Sequence, residues 1–455
     1  MFLLIILSIF VAVCFYNFYY KRRNFPPGPT PLPLLGNVLS FLTVNCSDEI
    51  FTKWRKKFGN VYTIWLSEVP MVVLADFEAI QETIQKDGDS YTGRVELENF
   101  HKYINGGVYG IANTDGDVWR EHRRFALHTL RDFGLGKNVM QDRVLDEVTH
   151  IVSTLKTKIS NGNKDEEYDV IEDVIDVSVG SIINSILFGY RFCGEKLAEY
   201  RTLSTLLRNF FAIFTNPLMF LTAKNPKLFS KIPLIGGAVR GFKRSSDELF
   251  NFFYQQIDEH RNSIDFETDS TPTDFVEAYL REAYKRDKEG INHTFSIKQL
   301  SGICWEMWLA GQESTTTTLA WALAYIITHP KVQDQLHQEL DKVVGSTDRL
   351  VTISDKQNLH FTNAVISLFP EPLKFNPNRF IDENGRFKKC NELIPFSIGK
   401  RQCLGESLAR MELFLFITNL FNSFKFLPGA TSPNLTRRRG FIVTPDKFKC
   451  RIEIR

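Results

Sequence analysis

No excess of either charge marks this sequence. Its 455 residues carry 55 Lys and Arg against 53 Asp and Glu, a formal net charge of +2. That balance, with no long basic tract, gives nucleic acid nothing to bind. Cysteine is scarce as well, with seven residues: Cys14, Cys46, Cys193, Cys304, Cys390, Cys403 and Cys450. The number is odd and none stand in C-x-x-C spacing, which argues against a disulfide framework or a zinc site. Reduced thiols facing the cytosol fit better. Internal repeats and low-complexity tracts are also absent.

Charge is missing altogether from Met1 to Tyr20, where Phe, Leu, Ile and Val dominate. Such a run is about long enough to cross the ~30 Å hydrocarbon core of a bilayer. Lys21, Arg22 and Arg23 follow at once, which places the rest of the chain on the cytosolic side. A cleaved signal peptide is the competing reading. No basic residues precede the run and no small residues end it, so an uncleaved anchor is expected at 1–20. The basic, Pro-rich stretch at 21–36, with Phe25-Pro26-Pro27-Gly28-Pro29, then serves as a stiff spacer. The remaining residues, 37–455, suffice to bury a large core, either as two or three domains or as one large fold around a cofactor.

Phe is abundant, at 39 residues. It suits a lipophilic ligand and equally suits ordinary packing. Helical periodicity dominates the chain, at Ser47–Phe58, Ala75–Gln85, Val118–Leu130, Val139–Ile159, Val170–Leu187, Phe242–Arg261, Thr273–Lys288, Ser296–Thr328, Lys331–Val344 and Glu406–Phe421. Asn60–Leu66 and Met71–Leu74 read as strands about a turn at Pro70, and most of Arg94–Gly116 as loop. Asn209–Gly237 is apolar but broken by Pro217, Pro226 and Pro233, with Lys224, Lys227 and Lys231 between. It reads either as a packed connector or as a lid dipping into a membrane surface. The fold class is mostly α with a small β portion.

Near the carboxyl end stands Phe396-Ser397-Ile398-Gly399-Lys400-Arg401-Gln402-Cys403-Leu404-Gly405, of the form F-x-x-G-x-x-x-C-x-G. A thiolate metal ligand needs a rigid, turned backbone, and Gly399 and Gly405 permit one. A helix starting just after Cys403 aims N–H groups at the sulfur. Arg401 is placed to pair with an anionic group of a cofactor. The bland alternative is a buried structural cysteine.

With this loop the sequence resembles the cytochrome P-450 family, in its animal microsomal form. The resemblance implies haem b bound through its iron to Cys403, and an anchor in the endoplasmic reticulum membrane. It further implies a lipophilic small-molecule substrate, and electrons from an NADPH-dependent flavoprotein reductase. Trp119-Arg120-Glu121-His122-Arg123 matches the family's W-x-x-x-R, which implies that Trp119 and Arg123 hold a haem propionate. Arg94, in Thr92-Gly93-Arg94, is a further propionate candidate. Ala310-Gly311-Gln312-Glu313-Ser314-Thr315 resembles the oxygen-activation motif: Ala310 and Gly311 leave a groove, while Glu313 and Ser314 relay protons. The family usually has Thr where this chain has Ser314, and Ser is less restricted in rotamer. Lys388, Lys389, Lys400, Arg120 and Arg124 are candidate contacts for the reductase, though such charges are most often merely solvated.

One family element is missing. Phe375-Asn376-Pro377-Asn378-Arg379-Phe380 resembles F-x-P-x-R-F, whose Arg in the family meets a buried Glu and Arg of an E-x-x-R helix. No such helix lies between Ala364 and Arg379; Glu121–Arg124 and Glu383–Arg386 are chance strings. A helix capped by Thr362 or Asn363 stops near Pro370, and an internal deletion is expected near 366–369. Arg379 is then expected to be a desolvated cation without partners, at a cost of about 3–5 kcal/mol. Two outcomes stay open: a working monooxygenase, or an inactive membrane-anchored remnant or splice isoform.

Overall fold

The computed structural model describes residues 1–44, 47–95, 97–134, 138–163, 166–215, 219–233, 235–268, 270–367, 375–437 and 442–455. Cys46, Pro217 and the stop expected at Pro370 lie outside them.

The apolar start forms helix α1 (Phe2–Phe18), nearly all of it exposed, as a helix is when its partner is lipid. The spacer turns back onto the domain: Asn17 donates to Pro31 O and Lys21 pairs with Glu68 at 3.1 Å. Helix α2 (Ser47–Phe58) packs Ile50 and Trp54 on Tyr62 and Ile64 of strand β1 (Val61–Leu66). Strand β2 (Val69–Leu74) runs antiparallel to β1, with Leu66 opposite Val69 and Trp65 opposite Pro70. The turn is therefore Ser67–Glu68 and not Pro70. Ser67 takes a positive φ of 56°, and Pro70 sits within the outer strand of a two-stranded sheet, where its missing N–H does no harm.

Helix α3 (Glu98–Asn105) occupies the stretch expected to be loop, and ends at Gly106 in the left-handed conformation. There follow α4 (Gly116–Asp132), α5 (Asn138–Asn161), α6 (Asp176–Phe188), α7 (Lys196–Phe214), α8 (Gly236–Ser263) and α9 (Phe275–Lys288). The long α10 (Ile297–Thr328) starts at Ser296, whose side chain accepts the Gln299 N–H, and α11 (Pro330–Val344) starts on a proline. Helix α12 (His360–Ser367) begins two residues before Thr362. Its cap is not local: the Glu339 carboxylate on α11 accepts the N–H groups of Phe361 and Thr362, each at 2.8 Å. Helix α13 (Glu406–Ser423) leads into β3 (Phe424–Pro428), which pairs antiparallel with β4 (Cys450–Ile454).

Helix α10 has apolar residues on every face because it crosses two cores. Leu300, Ile303, Trp305 and Trp308 belong to one, with Phe242 and Phe253 of α8 and Phe275 and Tyr279 of α9. Leu319, Leu323 and Ile327 belong to the other, with α5, α11 and Phe414–Phe421 of α13. Met307 and Leu404 touch both, so the residues around Cys403 lie at the seam between the cores.

The segments on either side of residues 368–374 meet through a small cluster. Ala364 of α12 packs with Phe380, Phe375 and Ile381, and Phe375 stacks on Tyr325 of α10 with centroids 5.0 Å apart. Arg379 is exposed and its Nε donates to Asn376 O at 3.3 Å. This corrects the expectation of a desolvated cation: water solvates the guanidinium, so the charge-burial penalty does not arise.

Candidate active site around Cys403

The loop carrying Cys403 is closed on itself. The Cys403 N–H donates to Phe396 O at 2.9 Å, and the Gln402 N–H to Gly399 O at 3.1 Å. Ser397 and Gly399 both take positive φ, 62° and 79°. A β-carbon on Gly399 would lie 2.3 Å from Ile84 O, so only glycine allows this approach. Phe396 lies under the guanidinium of Arg410, 4.7 Å from its ring centroid. Gly405 immediately precedes α13, and its N–H is hydrogen-bonded to the Cys403 sulfur. Burial pushes the thiol up, while that N–H and the Arg123 guanidinium pull it down. The residue as a whole is exposed.

Two guanidinium groups lie over one indole, and a third stands near one of them. Arg401 lies 4.0 Å from the Trp119 ring centroid and Arg123 lies 5.9 Å from it. Arg94 is close enough to act electrostatically on Arg401, as is Arg123. Burial and these two cations bring Arg401 down to about 10, against Asp115 and Glu306. Their donors go to main-chain carbonyls: Arg401 to Thr92, Ile111 and Thr114, Arg94 to Ala112, and Arg123 to Gln402. The indole N–H of Trp119 is buried and has no acceptor among the described residues. A clustered cationic site with an orphan buried donor fits a dianionic group, as the two carboxylates of haem b provide.

On α10, Ala310 and Ser314 are exposed although the helix is buried on both sides of them. They are one turn apart and share a face. Ser314 Oγ donates to Ala310 O at 2.6 Å. Gly311 lies against Ile183, which a β-carbon would approach to 3.1 Å. Burial and Asp176 push the Glu313 carboxyl up, and Arg208 opposes them. The neighbouring Gln312 points the other way, donating to Asp176 O at 2.9 Å and Asp176 Oδ1 at 2.6 Å. Thr315 Oγ1 donates to Glu412 of α13 at 3.1 Å, tying the two helices together. Glu412 is fully buried and pushed up to about 8.

The family model described as cytochrome P450 matches residues 26–367 and, as a second segment, 367–452. The chain belongs to the cytochrome P450 family. It is 32% identical to cytochrome P450 2C54 of Mus musculus over 474 aligned positions, covering 94% of this chain and 93% of the relative. It is 30% identical to cytochrome P450 2C16 of Oryctolagus cuniculus, covering 94% of each. With cytochrome P450 2H2 of Gallus gallus it shares 31% identity over 90% of this chain and 88% of that protein. The cytochrome P450 family is one of haem b-dependent monooxygenases, so oxidoreductase chemistry is this chain's by family. The 474 aligned positions exceed the 455 residues present, so positions of the mouse relative have no counterpart here.

Of the candidate site residues, the structure brings Trp119, Arg123, Arg94 and Arg401 together, and puts Arg123 within electrostatic reach of Cys403. Among the reductase-contact candidates, Lys400 pairs with Asp89 and Arg120 with Asp117, while Lys388, Lys389 and Arg124 are exposed. Sequence reasoning missed the Asp176–Gln312 contact, Glu306 and Glu412. A signal existed for each: a polar or acidic residue inside an otherwise apolar helical run. Glu306, pushed up to about 7 by burial, accepts the N–H groups of Ile111, Ala112 and Asn113.

Proposed function

We propose that Cys403 is the thiolate ligand of haem b, and that the chain oxygenates lipophilic substrates on the cytosolic face of the endoplasmic reticulum membrane. A flavoprotein reductase using NADPH supplies the electrons. The observation that carries this is the buried Trp119 N–H, without an acceptor among the described residues, beside the guanidiniums of Arg401 and Arg123, the latter within electrostatic reach of Cys403.

Haem, when bound, supplies the redox chemistry that inserts one oxygen atom of O₂ into the substrate and reduces the other to water. The residues present supply the rest. Trp119, Arg94, Arg123 and Arg401 would hold the propionates, exchanging carbonyl partners for carboxylates. Phe396, Gly399 and Gly405 shape the loop that presents the sulfur. Ala310 and Gly311 keep the α10 wall low. Glu313 holds a proton more readily than an exposed carboxylate does and passes it towards Ser314, whose hydroxyl is anchored on Ala310 O.

A second reading has its own support. The family match breaks into two segments at 367, and no E-x-x-R helix lies between α12 and Arg379. On this reading a segment is deleted near 366–369 and the chain is a non-catalytic membrane-anchored form. The carbon monoxide difference spectrum of the reduced, purified full chain decides between them. A thiolate-type Soret band supports the first reading. A chain without haem, or with a thiol-type band, overturns it in favour of the second.

A further inference from the structure

A pocket of about 480 Å³ lies away from Cys403, between α3, the turn Pro226–Phe229 and α8. Its charge is one-sided. Lys102, Lys227, Lys243 and Lys298 line it, against a single carboxylate, Asp247. Lys243 holds both oxygens of Asp247 at 2.9 Å, and Lys102 pairs with Glu98 on the exposed side of α3. Among the described residues neither Lys227 nor Lys298 has an ion-pair partner, and both are exposed. Neutral groups add to the site. Asn105 lines the pocket and its Oδ1 accepts from Ser246 Oγ at 2.7 Å.

Such a set recognises a phosphate. Two features say where that phosphate comes from. Leu228 and Ile232, beside Lys227 in sequence, are 55% and 37% exposed. Apolar side chains interleaved with lysines are how an interfacial segment meets a bilayer. Helix α1 is also long and apolar enough to cross a membrane, which would hold a bilayer next to the domain at all times.

We propose that this pocket binds the phosphate-bearing headgroup of an anionic phospholipid, with Leu228 and Ile232 entering the acyl layer beside it. The site is independent of haem and of the deletion.

The test is lysine acylation of the full chain, read by mass spectrometry. The chain is reconstituted in lipid nanodiscs of phosphatidylcholine alone, or with a minority of phosphatidylserine. Lys102, Lys227, Lys243 and Lys298 are expected to label several-fold more slowly in the anionic discs. Lys56 and Lys342, far along the chain, serve as unchanged controls that also report folding. The double variant Lys227→Glu, Lys298→Glu alters two exposed side chains. Headgroup binding is expected to fall by about fivefold for each positive charge removed and by about thirtyfold for each lysine reversed to glutamate, so the protection of Lys102 and Lys243 disappears. Equal labelling in the two kinds of disc, or protection that survives in the double variant, overturns the proposal. A third arm adds inorganic phosphate to phosphatidylcholine discs. Protection equal to that given by phosphatidylserine would make the occupant a soluble anion and overturn the lipid assignment.

Discussion

Replacing Glu412 by Gln is expected to reverse the order of stability between mutant and parent as pH changes. Glu412 sits on α13 with no exposed surface to speak of, and among the described residues its one hydrogen-bond partner is the Thr315 hydroxyl of α10. Burial lifts its carboxyl from 4.5 to about 8. The folded state therefore holds this proton where the unfolded chain has released it. For an acid raised in this way, stability is complete below pH 4.5 and is lost as pH rises towards 8. At 1.36 kcal/mol per unit, the loss is about 1 kcal/mol at pH 5 and about 3 kcal/mol at pH 7.

Gln cannot ionise, so Glu412→Gln escapes that loss. It brings instead an amide with buried N–H donors lacking acceptors, at a cost of about 1–3 kcal/mol. At pH 5 the variant is expected to be the less stable by about 1 kcal/mol. Above pH 7 it is expected to be the more stable by about 1–2 kcal/mol. Urea midpoints of both proteins in the same detergent, followed by tryptophan fluorescence at pH 5 and pH 7.5, give the comparison. Taking the difference between the two proteins cancels Glu306 and every other titrating group. A variant that is destabilised equally at both pH values would refute the reasoning, because it would mean that Glu412 does not titrate between them.

Trp119→Phe removes a buried donor that has no acceptor among the described residues. Thermal stability of the haem-free chain is expected to change by less than about 1 kcal/mol, while haem retained per chain falls; equal haem content in the two proteins would show that the indole N–H is not a propionate donor. Ser314→Thr restores the methyl that limits the hydroxyl's rotamers. Peroxide released per NADPH consumed is expected to fall, and an unchanged ratio would mean that Ser314 already delivers protons as well as Thr does.

What was legible in the sequence was local. The Cys403 loop compresses its instructions into ten positions, and the left-handed turn at Gly399 and the amide of Gly405 follow from residues within it. Long periodic helices such as α10 and α13 declare themselves in the same way. What escaped depends on residues distant in sequence. Helix α12 starts at His360 because Glu339, on another helix, caps it. Helix α3 was hidden inside a glycine-containing stretch, yet eight residues of it hold together with Ile104 packed in the α8–α10 core. The strand pair turns at Ser67 because Pro70 can stay within an outer strand. The three carbonyls that hold Arg401 belong to Thr92, Ile111 and Thr114, and carbonyls leave no mark in a sequence.

The same contacts separate two questions that the missing E-x-x-R helix runs together. The Cys403 loop is held by Asp89, by the carbonyls of Thr92, Ile111 and Thr114, by Arg123 and by Glu406. Among the described residues none of those bonds reaches Phe375–Phe380. The cationic group at Trp119 likewise draws on residues before 124 and on Arg401. Loss of the family's buried Glu–Arg contact would thus be felt by Arg379, which meets solvent, before it is felt by the ligand loop. The segments on either side of the junction pack together in the cluster of Ala364, Phe375 and Phe380. That cluster is small, and one buried alanine and one buried phenylalanine contribute only a few kcal/mol between them. If a segment is deleted here, folding cooperativity in the 360–393 region is the quantity it would govern. The cationic group proposed to hold the propionates rests instead on Arg94, Trp119, Arg123 and Arg401, none of which lies in that region.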